Sequence, residues 1–295
     1  MAQREHAGGV AIASRRPGAA AVDRHLVGGT DLSGGVAGMS WRIYAASATG
    51  TSHIDKGIPC QDAFAFHAAG DVLVAVVCDG AGSAPRSDEG SRLLADTVAR
   101  ALGDRCERES ECLGGDAEAW FAIAADAVTL ARDALSQTAQ AAQAPLSSYA
   151  ATLVGYAGDG RRGWFFHIGD GIAVAEPATP DDGEDSAAAW VSLPSNGEYA
   201  NETYFVTGES WREHLRVSPL PAPIAHLALM SDGAMPFAMQ KNNAGLFKPF
   251  FEPVARYLAS VDEDQGSRAL LATLEDPRTH GITSDDKTLL IALRS

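Results

Sequence analysis

Several aspartates in this sequence stand at the ends of strand-like runs, where side chains from different strands can meet. Two of them follow the apolar runs VLVAVVC and LALMS, and the others come just before such a run. These residues are Asp62, Asp79, Asp232, Asp285 and Asp286. In an antiparallel sheet the start of one strand lies beside the end of its neighbour. The sequence therefore predicts that these carboxylates gather at one edge.

A cluster of carboxylates of this kind predicts a site for divalent cations. Like charges a few ångströms apart repel strongly in a partly dry site unless cations compensate them. Oxygen ligands without a histidine pair at metal-ligand spacing favour Mg²⁺ or Mn²⁺ over Zn²⁺. Gly80 has no Cβ, so its carbonyl can also approach a cation. Two such ions about 4 Å apart can activate a water for attack on phosphorus. The alternative for any single Asp-Gly pair is an ordinary turn.

The segments that must position these residues are short and rich in Val, Ile, Leu and aromatic residues. They are bounded by Gly, Asp or Pro, which is typical of β-strands. The predicted strands span 41–48, 63–67, 72–78, 151–157, 163–168, 172–175, 190–193, 224–230 and 288–293.

Two pairs of helices are predicted between these strands. The first helix is expected to follow Ser87 as its N-cap, and the second to span 116–143. The apolar stripe of the second comprises Trp120, Ile123, Ala127, Leu130 and Ala134. A further pair is predicted at 247–260 and 265–274. Strands and helix pairs in this order predict an α+β fold, a four-layer α-β-β-α sandwich with two mainly antiparallel sheets.

The chain divides into an N-terminal extension and one predicted domain. Residues 1–38 are rich in Ala, Gly and Arg and show no apolar period, which predicts a disordered segment or a non-native extension with translation starting at Met39. Residues 39–295 suit a single catalytic domain. Within it, residues 179–223 carry an acidic run and several prolines, which favour an irregular insertion or flap.

Charge and cysteine content limit the partners and the compartment. A formal net charge of −15 argues against nucleic acid or an anionic membrane, because both need a basic face. The longest apolar run, 72–78, is far shorter than the roughly 20 residues of a membrane span. The cysteines are Cys60, Cys78, Cys106 and Cys112, without a C-x-x-C pair, which predicts a cytoplasmic protein. Cys60 and Cys78 are expected to be buried, unreactive thiols.

Five motifs in order resemble one known family. Q-D near the start, V-C-D-G-A-G-S, H-I-G-D-G, L-M-S-D-G and S-D-D-K-T resemble the type 2C, or PPM, metal-dependent serine/threonine protein phosphatases, over roughly 41–293. The opening G-T-S-H-x6-C-Q-D-A is most similar to a bacterial subgroup. The resemblance implies a dinuclear Mg²⁺ or Mn²⁺ centre, a water nucleophile, phosphorylated protein substrates and an opposing serine/threonine kinase.

The resemblance also implies roles for individual residues. Asp79 would bridge both metals and the Gly80 carbonyl would bind one of them. Asp232 and Asp286 would hold the metal on the other side, and Asp62 would contact the centre directly or through water. Asp170, in H-I-G-D-G, would help to bind a weaker third metal. A hairpin turn is the alternative for Asp170.

This chain departs from the family pattern at three positions. Gln61 stands where many members have Glu, and Lys287 stands where Asn is common. The arginine that binds substrate phosphate in many members would align near Gly57. A substitute is therefore needed, and the candidates are His53 and Lys56. His53 is predicted to donate to a phosphate oxygen or to protonate the leaving alkoxide; the alternative is a surface or structural histidine.

Three rival functions compete with this interpretation. A cysteine-based phosphatase needs Arg six positions after its thiolate, but Ala84 and Phe66 occupy those positions. A haloacid-dehalogenase-type phosphatase needs Asp-x-Asp, whereas Asp79 is followed by Gly80 and Ala81. The third rival is a catalytically weak or inactive phosphatase-like module that regulates or binds phosphoproteins. An inactive site would have no need to hold four mutually repelling aspartates together, so their presence favours catalysis over this last alternative.

Overall fold

The structure is a computed structural model that describes residues 40–109, 111–178, 189–194, 203–220 and 223–294. The predicted N-terminal extension lies outside these residues. Within them the strands are β1 Trp41–Ala48, β2 Ala63–Ala69, β3 Val72–Cys78, β4 Leu153–Gly158, β5 Gly163–Ile168, β6 Ile172–Pro177, β7 Trp190–Ser192, β8 Arg216–Leu220, β9 Ile224–Met230 and β10 Lys287–Arg294.

The strands form two five-stranded sheets in which every neighbouring pair is antiparallel. The first sheet has the order β1-β10-β9-β6-β7, and the second has the order β2-β3-β4-β5-β8. The predicted α+β fold with two antiparallel sheets is confirmed. Neighbours in each sheet include strands far apart in sequence, and in the first sheet β1 pairs with β10, the last described strand.

Helices cover the outer faces of the sheets. They are α1 Thr51–Ile54, α2 Ser87–Arg108, α3 Ala117–Ala141, α4 Trp211–His214, α5 Met235–Ala238, α6 Lys248–Leu258, α7 Glu263–Leu274 and α8 Pro277–His280. Helix α2 packs on β2 and β3 and against α3, while α7 packs on β1 and against α6. Among the residues described here, no helix is both long enough and apolar enough to cross a membrane.

The continuous apolar sequence of β3 follows from burial on both of its faces. Alternate residues of a strand point to opposite sides of the sheet. Val74 and Val76 belong to the core beneath α2 and α3, whereas Leu73 and Val77 belong to the core between the two sheets. Burying these side chains stabilises the fold by about 25 cal/mol for each Å² of apolar surface removed from water. The buried strand ends therefore hold the following aspartate in a fixed position.

Two details of the helices differ from the predictions. Ser87 is the first helical residue, not the N-cap; Arg86 takes that position, and the Ser87 hydroxyl donates to the Ala84 carbonyl. The predicted stripe of α3 is wrong in its second half. Leu130 is exposed and Ala134 only half-buried, and the helix instead buries Ala131 and Leu135. Because an α-helix has 3.6 residues per turn, the buried face in the second half of α3 lies one residue after the predicted stripe.

The predicted flap at 179–223 is described only in part. Its described parts include β7, which pairs with β6 at the edge of the first sheet, and β8, which pairs with β5 at the edge of the second. Strand β8 was missed in the sequence because it contains Pro219. Proline cannot donate to a sheet ladder and is tolerated at an edge such as this one. The role of the segment as a flap stays a prediction.

Candidate metal centre

The register of the two sheets brings four predicted ligands to one edge of the sandwich. In the second sheet Ala63 pairs with Cys78, which sets Asp62 beside Asp79. In the first sheet Leu289 pairs with Met230, which sets the residues before β10 beside those after β9. These residues are Asp286 on one side and Asp232 on the other. The expectation that strand starts and strand ends meet therefore holds within each sheet.

Hydrogen bonds join the two sheets at this edge. The Ser231 hydroxyl donates to Asp62 Oδ2 at 2.6 Å and accepts from the Thr288 amide at 2.9 Å. Ser231 is almost fully buried, at 1% exposure. A charge-assisted bond of this length is stronger than a neutral one. It fixes the Asp62 carboxylate of one sheet against the first residues of the other.

Asp286 is the most extensively hydrogen-bonded of the predicted ligands. Its Oδ1 accepts from the Gly50 amide at 2.6 Å, and its Oδ2 accepts from the Gln61 amide at 2.6 Å. The third donor is His53, whose Nδ1 lies 2.9 Å from Oδ2. The Gly50 and Gln61 amides belong to loops before the second sheet, so Asp286 also ties the two sheets together. Three donors hold this carboxylate in one orientation.

His53 and Lys56 occupy different environments. His53 lies in α1 and is buried at 7% exposure, with Nδ1 used by Asp286, so only Nε2 remains for any other partner. Lys56 is exposed in the turn after α1. Gly57 in the same turn has a left-handed backbone with φ of 67°, a conformation that favours glycine over arginine. The turn geometry thus accounts for the missing arginine.

The end of β3 is held by backbone contacts that require glycine. The Asp79 amide donates to Thr152 Oγ1 at 3.0 Å, and the Thr152 amide donates back to the Asp79 carbonyl at 2.8 Å. The Gly80 amide donates to the Gln61 carbonyl at 3.1 Å. A Cβ on Gly80 would lie 2.5 Å from that carbonyl oxygen, so a larger residue does not fit. The two loops therefore pack backbone against backbone at this point, and the Gly80 carbonyl as a metal ligand stays a prediction.

Asp170 lies in the connection between β5 and β6. These strands belong to different sheets and do not pair, so the alternative interpretation of a hairpin turn is wrong. The Asp170 Oδ2 accepts from the Thr203 hydroxyl at 2.6 Å. Asp170 and Asp232 line the same groove beside the acidic edge. The role of Asp170 as a metal ligand stays a prediction.

Burial and mutual repulsion raise the pKa values of the clustered carboxyl groups. Burial, with the charges of Asp286 and Asp232, raises the pKa of Asp62 to about 8, although the Ser231 hydroxyl opposes this shift. Burial and the charges of Asp62, Asp232 and Asp170 raise the pKa of Asp79 well above its usual range. Burial and Asp170 raise the pKa of Asp232. These carboxylates therefore repel each other and raise each other's pKa.

Among the residues that the structure describes, three buried oxygen atoms at this edge have no hydrogen-bond partner: Asp62 Oδ1, Asp232 Oδ1 and Gln61 Oε1. Unpaired buried polar atoms are costly, and they are explained when a ligand completes them. In the same part of the chain, no three His, Cys, Asp or Glu side chains form a ready-made metal cage. Oxygen atoms of this kind fit Mg²⁺ or Mn²⁺.

Sequence reasoning missed the residues that orient these ligands. Ser231, Thr152 and Thr203 each bond to a predicted ligand, yet they were not selected. Only Ser231 carried a usable signal, because it directly precedes Asp232 within a recognised motif. The cysteine prediction is confirmed for Cys78, which is buried, whereas Cys60 is only half-buried. Burial raises the pKa of both thiols, which is consistent with low reactivity.

Comparison with known proteins identifies the family to which this α-β-β-α sandwich belongs. Residues 49–275 match the family described as Protein phosphatase 2C. The chain belongs to the protein phosphatase 2C family. It is 30% identical over 263 residues to the Serine/threonine-protein phosphatase 3 of Escherichia coli (strain K12), covering 86% of this chain and 99% of that protein.

Solved structures share the fold at lower sequence identity. The catalytic domain of the serine threonine protein phosphatase PstP, in complex with 2 manganese ions, has a TM-score of 0.53 and 17% identity, covering 87% of this chain and 99% of that chain. PppA, a regulatory component of T6SS in Pseudomonas aeruginosa, has a TM-score of 0.55 and 17% identity, covering 87% and 98%. These likenesses show the fold.

Proposed function

We propose that the chain hydrolyses phosphoserine and phosphothreonine in proteins, using divalent cations held at the acidic edge. The observation that supports this most strongly is the set of buried oxygens of Asp62, Asp232 and Gln61 without partners, which a cation would complete. A relative with 30% identity is named a serine/threonine-protein phosphatase, and a structure with the same fold was solved with 2 manganese ions.

The proposed ligands are the residues whose positions the two sheets fix. Two Mg²⁺ or Mn²⁺ ions would be held by Asp62, Asp79, the Gly80 carbonyl, Asp232 and Asp286, and a weaker third ion by Asp170 with Asp232. When bound, two such ions lower the pKa of a water molecule and neutralise the charge that develops on phosphate. Both Mg²⁺ and Mn²⁺ accept oxygen ligands of this kind.

The other residues position these groups. His53 holds Asp286 through Nδ1, and we assign it a positioning role; in the protonated imidazolium, Nε2–H would also donate towards the leaving oxygen. Ser231 holds Asp62, and Thr203 holds Asp170. Lys56 is the exposed cation on the α1 side of the edge and stays the candidate for contact with phosphate there. The phosphoprotein substrates, the opposing kinase and the cytoplasmic location inferred from the sequence stay predictions.

The alternative is a weak or inactive module that binds phosphoproteins. Gln61 in place of Glu favours it, because a neutral amide binds a cation less strongly than a carboxylate does. Hydrolysis of p-nitrophenyl phosphate, measured with Mn²⁺, with a chelator and in Asp79→Ala, separates the two. We expect turnover that needs Mn²⁺ and disappears in the variant. A folded protein that binds Mn²⁺ and phosphopeptide without any turnover would support the binding module instead.

A further inference from the structure

A groove of ≈ 560 Å³ opens beside the acidic edge, and residues of both charges line it. The half-buried Asp170 and Asp232 define its inner end, beside the proposed cations. Four consecutive and mostly exposed residues, 240–243, with the sequence Gln-Lys-Asn-Asn, define its outer wall. Pockets of about 300–1,000 Å³ accept drug-sized ligands, so this groove has room for more than a phosphate group.

The outer wall is a fixed loop. Met239 pairs with Leu246, the Gln240 amide donates to the Gly245 carbonyl at 2.8 Å, and Gln240 Nε2 donates to the Leu246 carbonyl at 2.9 Å. Asn242 and Asn243 have φ values of 63° and 55°. Asn tolerates this left-handed conformation better than most residues do. The loop is therefore closed at its base and shaped by its own sequence.

The chemistry of this wall favours an anion. Among the described residues that line the groove, Lys241 is the one cation, and the carboxylates are confined to the inner end. Lys241 is exposed, and its neighbours in the wall are amides, which can donate hydrogen bonds. This arrangement contrasts with the formal net charge of −15 for the whole chain. An acidic group bound here would meet the hydrogen-bond donors of the amides and the positive charge of Lys241.

We infer that this groove binds the substrate segment next to the phosphorylated residue, and that Lys241 selects substrates with an acidic side chain there. The inference rests on the proposed function, because the phosphate itself would lie at the inner end with the cations. Phosphate and carboxylate would then occupy different parts of one groove. The substrate class is an acidic phosphopeptide segment.

The test compares two phosphoserine peptides that differ only in flanking Asp or Asn residues, using kcat/KM with Mn²⁺. Wild-type protein is expected to favour the acidic peptide. In Lys241→Gln this preference falls by about fivefold, the upper range for an exposed ion pair. Lys241→Glu reverses it in favour of a peptide with flanking Lys. Lys248→Gln, an exposed lysine at the start of α6 outside the groove, is the matched control and keeps the wild-type ratio.

Two results would overturn this inference. An equal loss of kcat/KM for both peptides in Lys241→Gln would show that Lys241 acts on the phosphate or on the fold. An unchanged preference for the acidic peptide in Lys241→Gln would show that Lys241 does not discriminate between the flanking side chains. If wild-type protein turns over neither peptide, the proposed function itself fails, and peptide binding measured by fluorescence anisotropy still tests the charge preference separately.

A second, independent feature is the pair Cys106 and Cys112. Cys106 lies near the end of α2, and Cys112 follows in the connection to α3; both are buried, with their Sγ atoms 2.7 Å apart. The Cys112 amide donates to the Glu109 carbonyl at 2.8 Å, which turns the chain back towards the helix. The two sulfurs are thus held together by local backbone structure.

The geometry points to a reversible disulfide between Cys106 and Cys112. Hydrogen peroxide would oxidise one thiolate to a sulfenic acid with release of hydroxide, and the second thiol would displace that oxygen as water. In total, two thiols and one peroxide give one disulfide and two waters. The disulfide would link the end of α2 covalently to the loop that leads into α3.

Peptide mapping after peroxide treatment tests this pair. Trypsin cleaves after Arg105 and Arg108, so Cys106 and Cys112 fall in different peptides that only a disulfide can join. We expect the joined peptides, a midpoint of thermal unfolding raised by roughly 5 °C, and reversal by dithiothreitol. Cys106→Ser should abolish these effects and Cys60→Ser should keep them. Recovery of Cys106 and Cys112 as free thiols or sulfinic acids in the wild type would contradict the proposal.

Discussion

Replacing His53 with alanine removes one of three donors from the Asp286 carboxylate. The lost contact is a buried bond of 2.9 Å between His53 Nδ1 and Asp286 Oδ2. Hydrogen bonds to charged groups contribute about 1.5–3 kcal/mol. Asp286 keeps the Gly50 and Gln61 amides, so the fold should persist while the carboxylate becomes free to rotate. At 1.36 kcal/mol per factor of ten, Mn²⁺ affinity should fall about 10- to 100-fold.

The assay is Mn²⁺ titration by calorimetry, together with p-nitrophenyl phosphate and phosphopeptide turnover at each Mn²⁺ concentration. We expect His53→Ala to need more Mn²⁺ and to lose at least tenfold in phosphopeptide turnover. His53→Asn is the matched variant, because its side-chain amide can donate to the same carboxylate. It should recover much of the Mn²⁺ affinity if His53 acts by positioning Asp286.

The pattern of results separates the two roles of His53. If His53→Asn recovers Mn²⁺ affinity but not turnover at saturating Mn²⁺, then Nε2 serves as a donor to the leaving group. Circular dichroism of each variant controls for folding. Unchanged Mn²⁺ affinity and unchanged turnover in a folded His53→Ala would refute both roles and leave a structural histidine.

Three further changes test the surroundings of the site. Ser231→Ala leaves the Thr288 amide without its acceptor, and should lower the free energy of unfolding by about 1–3 kcal/mol in urea titrations; wild-type stability would contradict the role of Ser231. Gly80→Ala should be destabilised by about 1–3 kcal/mol, because its Cβ meets the Gln61 carbonyl; equal stability would show that the loops can separate. Burial and the Arg216 charge lower the pKa of His167 to about 3. The unfolded chain binds this proton near pH 6.5, so stability should fall by about 2 kcal/mol from pH 7 to pH 5. This loss should be smaller in His167→Gln, and parallel pH curves for the two proteins would exclude His167 as its source.

The strands with strong apolar patterns were predictable from the sequence. Trp41–Ala48, Val72–Cys78, Gly163–Ile168 and Ile224–Met230 have the predicted bounds. Burial on both faces gives Val72–Cys78 a continuous run of Val, Leu and Ala, which leaves little ambiguity about this strand. Strand β8 was missed because its sequence RVSPL is half polar and contains proline, and only its pairing with β5 defines it.

The sequence predicted which residue types form the site, but it did not predict how their side chains are oriented. Antiparallel pairing explains why Asp62 lies near Asp79, because both belong to one sheet. The contact between Ser231 and Asp62 depends on how the two sheets stack, which no local pattern records. The same holds for His53 and Asp286, which are 233 residues apart in sequence. The residues that orient the ligands are distant from them in sequence, so only the structure identifies them.

The most direct measurement is anomalous X-ray diffraction from crystals of the protein grown with Mn²⁺. We expect at least two Mn²⁺ peaks between the carboxylates of Asp62, Asp79, Asp232 and Asp286, with fewer or weaker peaks in crystals of Asp79→Asn. A protein that hydrolyses phosphopeptides, yet shows no Mn²⁺ among these four aspartates, would contradict the proposal that the two sheets hold shared cations at this edge.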